Sequence, residues 1–232
     1  MGLMLAACVT DIEDPEPPEP PEWVYPAVLG EFPREGVRPV AGEDALLLEW
    51  QPSQEADIAG YQIYRADSSL DVFEIVGTVE EKQGNLATEF QDTTVPIDTL
   101  VYYYLRAIDD SDNKSDPSDT LKFVLLQKSG LSQFKEPPDQ KPVLEWNISP
   151  PESNAGFYLV ELADDSKNTL TVSPVIPRTS YARQAMDSWT VPDSLEPGAQ
   201  YFWRVYASGL LDEEDRPHAM SLSGWRTFTV RE

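Results

Sequence analysis

The sequence predicts an all-β protein in which two sandwiches follow a short N-terminal segment. Short runs that alternate apolar and polar residues are bounded by Pro, Gly, Asp, Asn and Ser, as is typical of strands and turns. No segment after residue 23 keeps a helical period. The chain also resembles itself at a shift of about 100 residues, and 232 residues leave room for two such units.

Residues 5–8, near the N-terminus, read Leu-Ala-Ala-Cys and hold the only cysteine of the chain. This box resembles the end of a bacterial lipoprotein signal peptide. The resemblance implies that Cys8 is lipidated and becomes the new N-terminus. A complete signal has a basic region and 7–15 apolar residues, whereas no Lys or Arg precedes Cys8. Either the natural peptide is longer, or the match is accidental and Cys8 is a free thiol.

Residues 9–27 are predicted to be an acidic, proline-rich linker. Proline fixes φ and the glutamates between the prolines repel one another, so we expect extended polyproline II structure without a core. The acidic residues after Cys8 are similar to signals that send some bacterial lipoproteins to the cell surface; the alternative is a plain solvated linker. Trp23 and Tyr25 follow, either as an exposed aromatic contact for a sugar or protein, or as residues that pack the linker onto the first sandwich.

The internal repeat marks the strands. The segments that match are 47–50 with 143–146, 60–65 with 156–161, where a slip of one residue is open, and 101–107 with 201–207. In the last segment Tyr201, Trp203 and Val205 share one face at the strand period of two. We therefore predict that these side chains line the space between two sheets. Trp50 and Trp146 are predicted core residues for the same reason, in preference to a ligand platform.

Both copies resemble fibronectin type III domains, which are seven-stranded sandwiches of two antiparallel sheets. The resemblance implies domains at 28–127 and 128–232; the alternative is that Pro137-Pro138 begins the second domain. Because few residues join the two copies, we expect them to lie end to end with limited swing. The resemblance also implies a corner hydrogen bond from the Tyr201 hydroxyl, which Val101 in the first copy lacks. The residues that carry the resemblance on strands B, C and F are Trp50, Tyr61, Tyr103 and Ala107 in the first copy, and Trp146, Tyr158, Trp203 and Ala207 in the second.

Composition excludes several functions. The net charge is −24, distributed as −6 over residues 1–22, −13 over 23–127 and −5 over 128–232. Sequence-independent nucleic-acid binding needs Lys and Arg to neutralise phosphates, so we expect no nucleic-acid partner. One cysteine excludes an intrachain disulfide and a cysteine-rich metal centre. One histidine, His218, excludes a multi-histidine site, and we expect no cofactor.

Acidic turns are the candidate partner-binding loops. They lie in the two predicted F–G turns, and their residues are Asp109, Asp110 and Asp112 in the first copy, and Asp212, Glu213, Glu214 and Asp215 in the second. Residues 110–114 begin like a calcium loop, but Lys114 stands at the third ligand position and the distal Glu is absent, so no metal site is predicted. A cationic or metal-bridged partner is the expectation for these turns.

Taken together, these patterns predict a non-catalytic, lipid-anchored protein of the bacterial cell envelope, on the periplasmic or surface side of the outer membrane. Its sandwiches are expected to act as a spacer and as a binding or adhesion module for a protein or polysaccharide, with the lipid as the sole membrane contact. A structural subunit of a surface complex is the first alternative. A carboxylate-based carbohydrate-active hydrolase is the second, although no catalytic residues are identified.

Overall fold

The computed structural model describes residues 16–24, 36–67, 72–80, 86–132, 141–148, 154–179, 186–192, 195–209 and 219–230. Within these residues the chain forms strands and no helix, and therefore no helix able to cross a membrane. The first seven strands are β1 (Val37–Pro39), β2 (Leu46–Glu49), β3 (Ile58–Asp67), β4 (Glu74–Glu80), β5 (Glu89–Asp92), β6 (Leu100–Asp109) and β7 (Leu121–Leu125). The other strands are β8 (Ser129–Leu131), β9 (Val143–Ile148), β10 (Phe157–Ala163), β11 (Thr169–Val172), β12 (Ile176–Pro177), β13 (Asp187–Thr190), β14 (Gln200–Ser208), β15 (Ala219–Leu222) and β16 (Arg226–Thr229).

The first seven strands form a sandwich. One sheet has the order β1-β2-β5, and the other has the order β4-β3-β6-β7. Buried side chains from both sheets, among them Leu46, Leu48, Ile63 and Leu105, join in one core. The predicted all-β class is therefore confirmed, and the strand arrangement is that of a fibronectin type III domain.

The second sandwich repeats this order with two interrupted strands. Its small sheet is β8-β9-β13, and its large sheet centres on β10 and β14. Both β11 and β12 pair with β10, and both β15 and β16 pair with β14. A buried serine sits at each interruption. The hydroxyl of Ser173 accepts the N–H of Val160, and the hydroxyl of Ser223 accepts the N–H of Val205. These side chains therefore replace backbone partners where the edge strand is interrupted.

The tryptophans predicted to be core residues are buried. Trp50 and Trp203 are 1% and 0% exposed, and Trp146 is also 0% exposed. The rings of Trp50 and Tyr61 meet edge-on with their centroids 5.2 Å apart, and the rings of Trp146 and Tyr158 do so with their centroids 5.3 Å apart. This equivalence settles the slip in the repeat, because Tyr61 and Tyr158 occupy the same place.

The N-terminal segment is part of the first sandwich. Pro18 and Pro21 are buried, and Gln51 donates its N–H to the Glu22 carbonyl. Trp23 is 1% exposed within the first core, and its Nε1 donates to the Asp119 carbonyl at 2.7 Å. The interpretation of Trp23 as an exposed contact is therefore wrong; it packs the linker onto the sandwich. A three-residue spacing of buried prolines is what one face of a polyproline II helix provides.

The two sandwiches share one ten-stranded sheet. Strand β15 pairs in parallel with β7, so that Ala219 lies beside Val124 and Met220 beside Leu125. The Leu126 N–H donates to the Met220 carbonyl at 2.9 Å. The Met220 side chain packs into the core of the first sandwich. Backbone pairing and a shared core contact thus join the two sandwiches directly.

Polar contacts add to this junction. Gly42 donates its N–H to the Leu222 carbonyl at 3.0 Å, and the Ser221 hydroxyl donates to the Gln127 carbonyl at 3.0 Å. Lys128 lies 2.7 Å from the carboxylate of Asp44. Gly42 has φ of +78°, and a Cβ there would lie 3.3 Å from the Gly224 Cα. A side chain at Gly42 would therefore be strained and would crowd the second sandwich.

Candidate functional site

The end of the first sandwich that faces away from the junction carries acidic loops. We call residues 51–57 and 109–114 the acidic loop end. The two loops are joined because the Asp110 N–H donates to the Asp57 carbonyl at 2.9 Å. Asp110 and Asp112 are exposed at this end, with Lys114 beside them. The end therefore presents carboxylates on a backbone that hydrogen bonds hold in place.

Asp109 organises the turn. One carboxylate oxygen accepts the backbone N–H groups of Ser111 and Asn113 at 2.9 and 2.8 Å, and the other accepts the Asn113 side-chain amide at 2.8 Å. Desolvation raises the pKa of Asp109, but the hydrogen bonds from Asn113 and Ser111 outweigh it and hold the pKa below its usual value. Asp112 takes a left-handed φ of 63°, which closes the turn.

This geometry corrects one predicted site residue. Asp109 is 2% exposed, and its carboxylate faces the turn's own backbone, so it is not available to a partner. The exposed carboxylates of Asp110 and Asp112 remain as candidates. Short polar residues at alternate positions, as in Asp-x-Ser-x-Asn, favour side chain-to-backbone bonds, and that local signal was present in the sequence.

A matched turn occurs in the second sandwich, between β10 and β11. Residues 164–168 read Asp-Asp-Ser-Lys-Asn, against Asp-Asp-Ser-Asp-Asn at 109–113. Asp164 accepts the N–H groups of Ser166 and Asn168 at 2.9 and 2.8 Å, and Lys167 has the same φ of 63° as Asp112. The two turns share a backbone and differ in one side chain, Asp112 against Lys167. They therefore provide a built-in control for charge.

A cavity of about 340 Å³ opens beside the acidic loop end. The Ser53 N–H donates to the Tyr61 hydroxyl at 3.2 Å, and a Glu55 carboxylate oxygen accepts the Glu19 N–H at 2.9 Å. The N-terminal segment thus contacts Glu55, which is one of the residues that line this cavity. The residues that line it are Pro52, Ser53, Glu55, Ala56, Ile58, Tyr61, Leu86 and Thr88.

The other predicted site residues are placed as follows. Cys8, Tyr25 and the second acidic turn (Asp212, Glu213, Glu214 and Asp215) lie outside the described residues, as does His218. The sequence places the second F–G turn at 210–220, and the last of these residues, Met220, lies in β15 and is buried at the junction. Across the parts of the chain that the structure describes, no three His, Cys, Asp or Glu residues are grouped to hold a metal ion.

The outer faces of the large sheets show a contrast that the sequence analysis did not identify. In the second sandwich the Arg204 Nε lies 2.7 Å from a Glu161 carboxylate oxygen. The Cζ of the Arg204 guanidinium lies 4.2 Å from the centroid of the Trp225 ring. The equivalent residues of the first sandwich are Tyr64 and Tyr104, which stack on each other at 4.6 Å. The register supports the equivalence, since both pairs are direct cross-strand neighbours.

No protein family description matches the chain, and no curated protein matches it. Solved structures resemble it at low identity. A cytokine receptor complex shares 12% identity over 84% of this chain and 97% of that chain, with a TM-score of 0.44. The two-domain fibronectin type III segment of chicken tenascin shares 18% over 84% and 96%, with a TM-score of 0.33. The FN1–FN3 domains of chicken CNTN1 share 15% over 93% and 68%, with a TM-score of 0.37.

The strand order and register described above, and not these low-similarity matches, make the present chain a tandem of two fibronectin type III-like sandwiches. That fold by itself identifies neither a ligand nor a reaction.

Proposed function

We propose that this chain is a non-catalytic, lipid-anchored protein of the bacterial cell envelope, at the outer membrane, that displays a stiff binding module for a protein or polysaccharide. The observation that carries the proposal is the junction, where β7 and β15 pair and Met220 enters the neighbouring core. Such a junction keeps the acidic loop end at a constant distance from the second sandwich. A stiff spacer with loops at its far end suits a display function.

The N-terminal residues supply the anchor in this proposal. The box at 5–8 implies a lipid on Cys8, which is followed by the acidic, proline-rich segment. Pro18, Pro21 and Trp23 pack on the first sandwich, so residues 18–23 do not extend away from it. The distance between the lipid and the first sandwich would therefore be shorter than a fully extended linker of 9–27 would give.

The anchor is tested by fractionation. The full chain is expressed in a bacterial host behind a complete lipoprotein signal, as wild type and as Cys8→Ser. We expect the wild type to enter the detergent phase and the variant to remain in the aqueous phase. Equal partitioning of the two proteins would show that Cys8 carries no lipid anchor. It would not bear on the proposed binding site at the acidic loop end.

The acidic loop end supplies the binding site in this proposal. Its exposed carboxylates favour a cationic group, and attraction between exposed charges falls as salt screens them over about 8–10 Å at physiological ionic strength. The probes are a labelled octalysine peptide and a chitosan oligomer, titrated at low and physiological salt. We expect Asp110→Asn/Asp112→Asn to weaken binding several-fold without changing the melting temperature.

The matched turn supplies the control for this test. Asp165→Asn removes an exposed carboxylate at the position of the second turn that corresponds to Asp110. We expect it to reduce probe binding only by the small amount that one unit of net charge accounts for. The single variant Asp110→Asn, which also removes one charge, is the matched comparison. An equal loss in Asp110→Asn and Asp165→Asn would mean that the probes sense total charge, and the loop end would then be rejected as the site.

A further inference from the structure

The cavity beside the acidic loop end combines apolar and polar side chains. Among its apolar lining residues, Ile58 belongs to the first core and Leu86 packs against that core. Its polar side chains carry oxygen and no nitrogen, and they are those of Ser53, Glu55, Tyr61 and Thr88. The volume of about 340 Å³ falls within the range of about 300–1,000 Å³ that is usual for small-ligand sites. The cavity can therefore hold a group that has an apolar part and hydrogen-bond donors.

Hydrogen bonds fix the polar side chains of this cavity. One Glu55 carboxylate oxygen accepts the Glu19 N–H at 2.9 Å, and the Glu55 N–H donates to the Ser53 hydroxyl at 3.2 Å. Tyr61 is 1% exposed, and its hydroxyl accepts the Ser53 N–H at 3.2 Å. Within the residues that the structure describes, the second Glu55 carboxylate oxygen has no hydrogen-bond partner. A charged acceptor is therefore held in place at the cavity with part of its capacity unused.

The described segments around the cavity carry only acidic charge. Segments 51–58 and 86–90 line it, and segment 16–24 contacts it through Glu55. These segments contain no Lys, Arg or His. Their six acidic residues are Glu16, Glu19, Glu22, Glu55, Asp57 and Glu89. Because the summed field of these carboxylates attracts a cation and repels an anion, charge complementarity favours a cationic occupant.

We propose that this cavity takes the side chain of a lysine from a protein partner. The aliphatic stem packs against Ile58 and Leu86, and the ammonium group binds the Glu55 carboxylate. An ammonium group has three donors and no acceptor, which matches a lining whose polar side-chain atoms are all oxygens. A lysine stem commonly packs along apolar surface while its charged head stays near water.

This inference rests on the proposed binding function of the acidic loop end and deepens it, because it selects a protein over a polysaccharide. Residues 52–56, which belong to that end, line the cavity together with Ile58 and Leu86. The amine of an amino sugar is attached directly to the ring and has no aliphatic stem. Such a sugar would meet the carboxylates but would leave the apolar part of the cavity unfilled.

The probe is Nα-acetyl-lysine amide, titrated into the full chain and followed by ¹H–¹⁵N NMR at physiological salt. We expect saturable shifts of the Ser53 and Glu55 amides, with a dissociation constant on the order of 1 mM, since a single side chain makes few contacts. Nα-acetyl-norleucine amide has the same aliphatic stem without the ammonium group. It should cause no saturable shift, and equal binding of the two probes would overturn the proposal.

Two variants test the cavity itself. Glu55→Gln removes the charge but keeps an oxygen for the Glu19 N–H, and it should weaken binding of the lysine probe about ten-fold. Ala56→Phe places a ring at an exposed lining residue without changing the net charge, and it should block the probe. Thermal melting shows whether each variant is folded. Full binding of the probe to either folded variant would contradict the proposed site.

The matched control is Glu89→Gln. Glu89 directly follows the lining residue Thr88, is exposed and is not among the residues that line the cavity. The variant removes the same charge as Glu55→Gln, and it should weaken binding less than about two-fold, because salt screens exposed charges. Equal losses in Glu55→Gln and Glu89→Gln would show that the probe senses only the overall field, and would overturn the proposal.

The outcome is separable from that of the proposed function. Binding at the acidic loop end is tested with octalysine and with the carboxylates of Asp110 and Asp112, whereas the cavity is tested with a single lysine and with Glu55. Octalysine binding that needs Asp110 and Asp112, together with failure of the lysine probe, would overturn the cavity alone. Binding of the lysine probe through Glu55, together with octalysine binding that ignores Asp110 and Asp112, would support the cavity and reject those two carboxylates as the site.

Discussion

The two sandwiches place polar and apolar side chains on opposite faces of the same strands. In the first, a buried ionic group joins the two sheets, and its positions in the second are apolar. On the outer face the order is reversed, with a stacked pair of tyrosines in the first sandwich and the Glu161–Arg204 ion pair in the second. One backbone register therefore accommodates both arrangements.

The buried group of the first sandwich centres on Asp92, which is 2% exposed. One carboxylate oxygen accepts from Arg65 and from the Tyr103 hydroxyl, each at 2.8 Å. The other oxygen accepts the N–H and the hydroxyl of Thr94, each at 2.8 Å. Every acceptor position of this carboxylate is thus used, which is the condition under which a buried charge is tolerated.

The equivalent positions of the second sandwich are Leu162, Val191 and Trp203, all at most 1% exposed. The equivalence follows from the register, because Arg65 pairs with Tyr103 as Leu162 pairs with Trp203. In the second copy, buried apolar side chains fill the space that hydrogen-bonded charged groups fill in the first copy. The fold therefore requires that the space at this end of the sandwich be filled, and it does not prescribe the chemistry of the side chains that fill it.

Trp203 is the position where we expect the largest effect. Trp203→Ala removes a 0%-exposed ring from the second core and should lower the free energy of unfolding by about 3–5 kcal/mol. Urea unfolding of the full chain, followed by far-ultraviolet circular dichroism, measures it. Trp225→Ala, on the outer face, serves as the control and should cost less. A cost for Trp203→Ala below about 0.5 kcal/mol would contradict its place in the core.

Asp92 should rank next. Asp92→Asn leaves the Arg65 guanidinium without its buried counter-charge and should lower the free energy of unfolding by about 3 kcal/mol. The control is Asp67→Asn, because Asp67 also contacts Arg65, at 2.9 Å, but its side chain is 49% exposed. That pair should contribute under about 1 kcal/mol. Equal costs for both variants would show that burial is not what makes the Asp92 pair matter.

Replacing the whole group tests the comparison itself. Arg65→Leu/Asp92→Val/Tyr103→Phe gives the first sandwich an apolar end like that of the second. Buried ionic groups replaced together by apolar residues often leave stability unchanged or raise it by about 1–4 kcal/mol. We therefore expect the triple variant to unfold at a urea concentration at or above that of the wild type, although Asp92→Asn alone is destabilising. A triple variant less stable than Asp92→Asn would refute the equivalence.

The same variants should differ in their response to acid. Burial raises the pKa of Asp92, but hydrogen bonds from Thr94, Tyr103 and Arg65 outweigh it and leave the pKa below its usual value. Its contribution is therefore full above the unfolded carboxyl pKa of about 4, and is lost as pH falls through the lower folded value. Unfolding between pH 7 and 3 should show a smaller acid loss in the triple variant. Identical pH profiles would argue against the Asp92 contribution.

The smallest effect is expected at the corner before β14. The Tyr201 hydroxyl accepts the Glu196 N–H at 3.0 Å, whereas Val101 takes the same position in the first copy, as its pairing with Phe123 shows. Tyr201→Phe should cost about 1 kcal/mol, the usual net value of one hydrogen bond. Differential scanning calorimetry measures the shift. An unchanged melting temperature would mean that the corner hydrogen bond does not contribute to stability.

Local patterns were enough for part of this structure. The alternation along β14 predicted that Trp203 faces inward, because side chains of a strand alternate between faces regardless of their partners. Local patterns do not decide between an exposed Trp23 and one packed on the first sandwich, and they wrongly place Asp109 among the exposed site residues. Trp23 is buried by Gly36 and Asp119, which are distant in sequence, and Asp109 is buried by its own turn. Composition carries no information on such contacts.

The all-β class, the two copies and the inward faces of their strands could be predicted from local sequence, because they follow from strand period and internal repetition. The entry of Met220 into the neighbouring core and the pairing of β7 with β15 could not be predicted in this way. The same is true of the polar groups that meet, such as Asp92 and Arg65 across 27 residues. Such contacts depend on how the two sheets and the two sandwiches are positioned in space, and a pattern along one strand does not record that position.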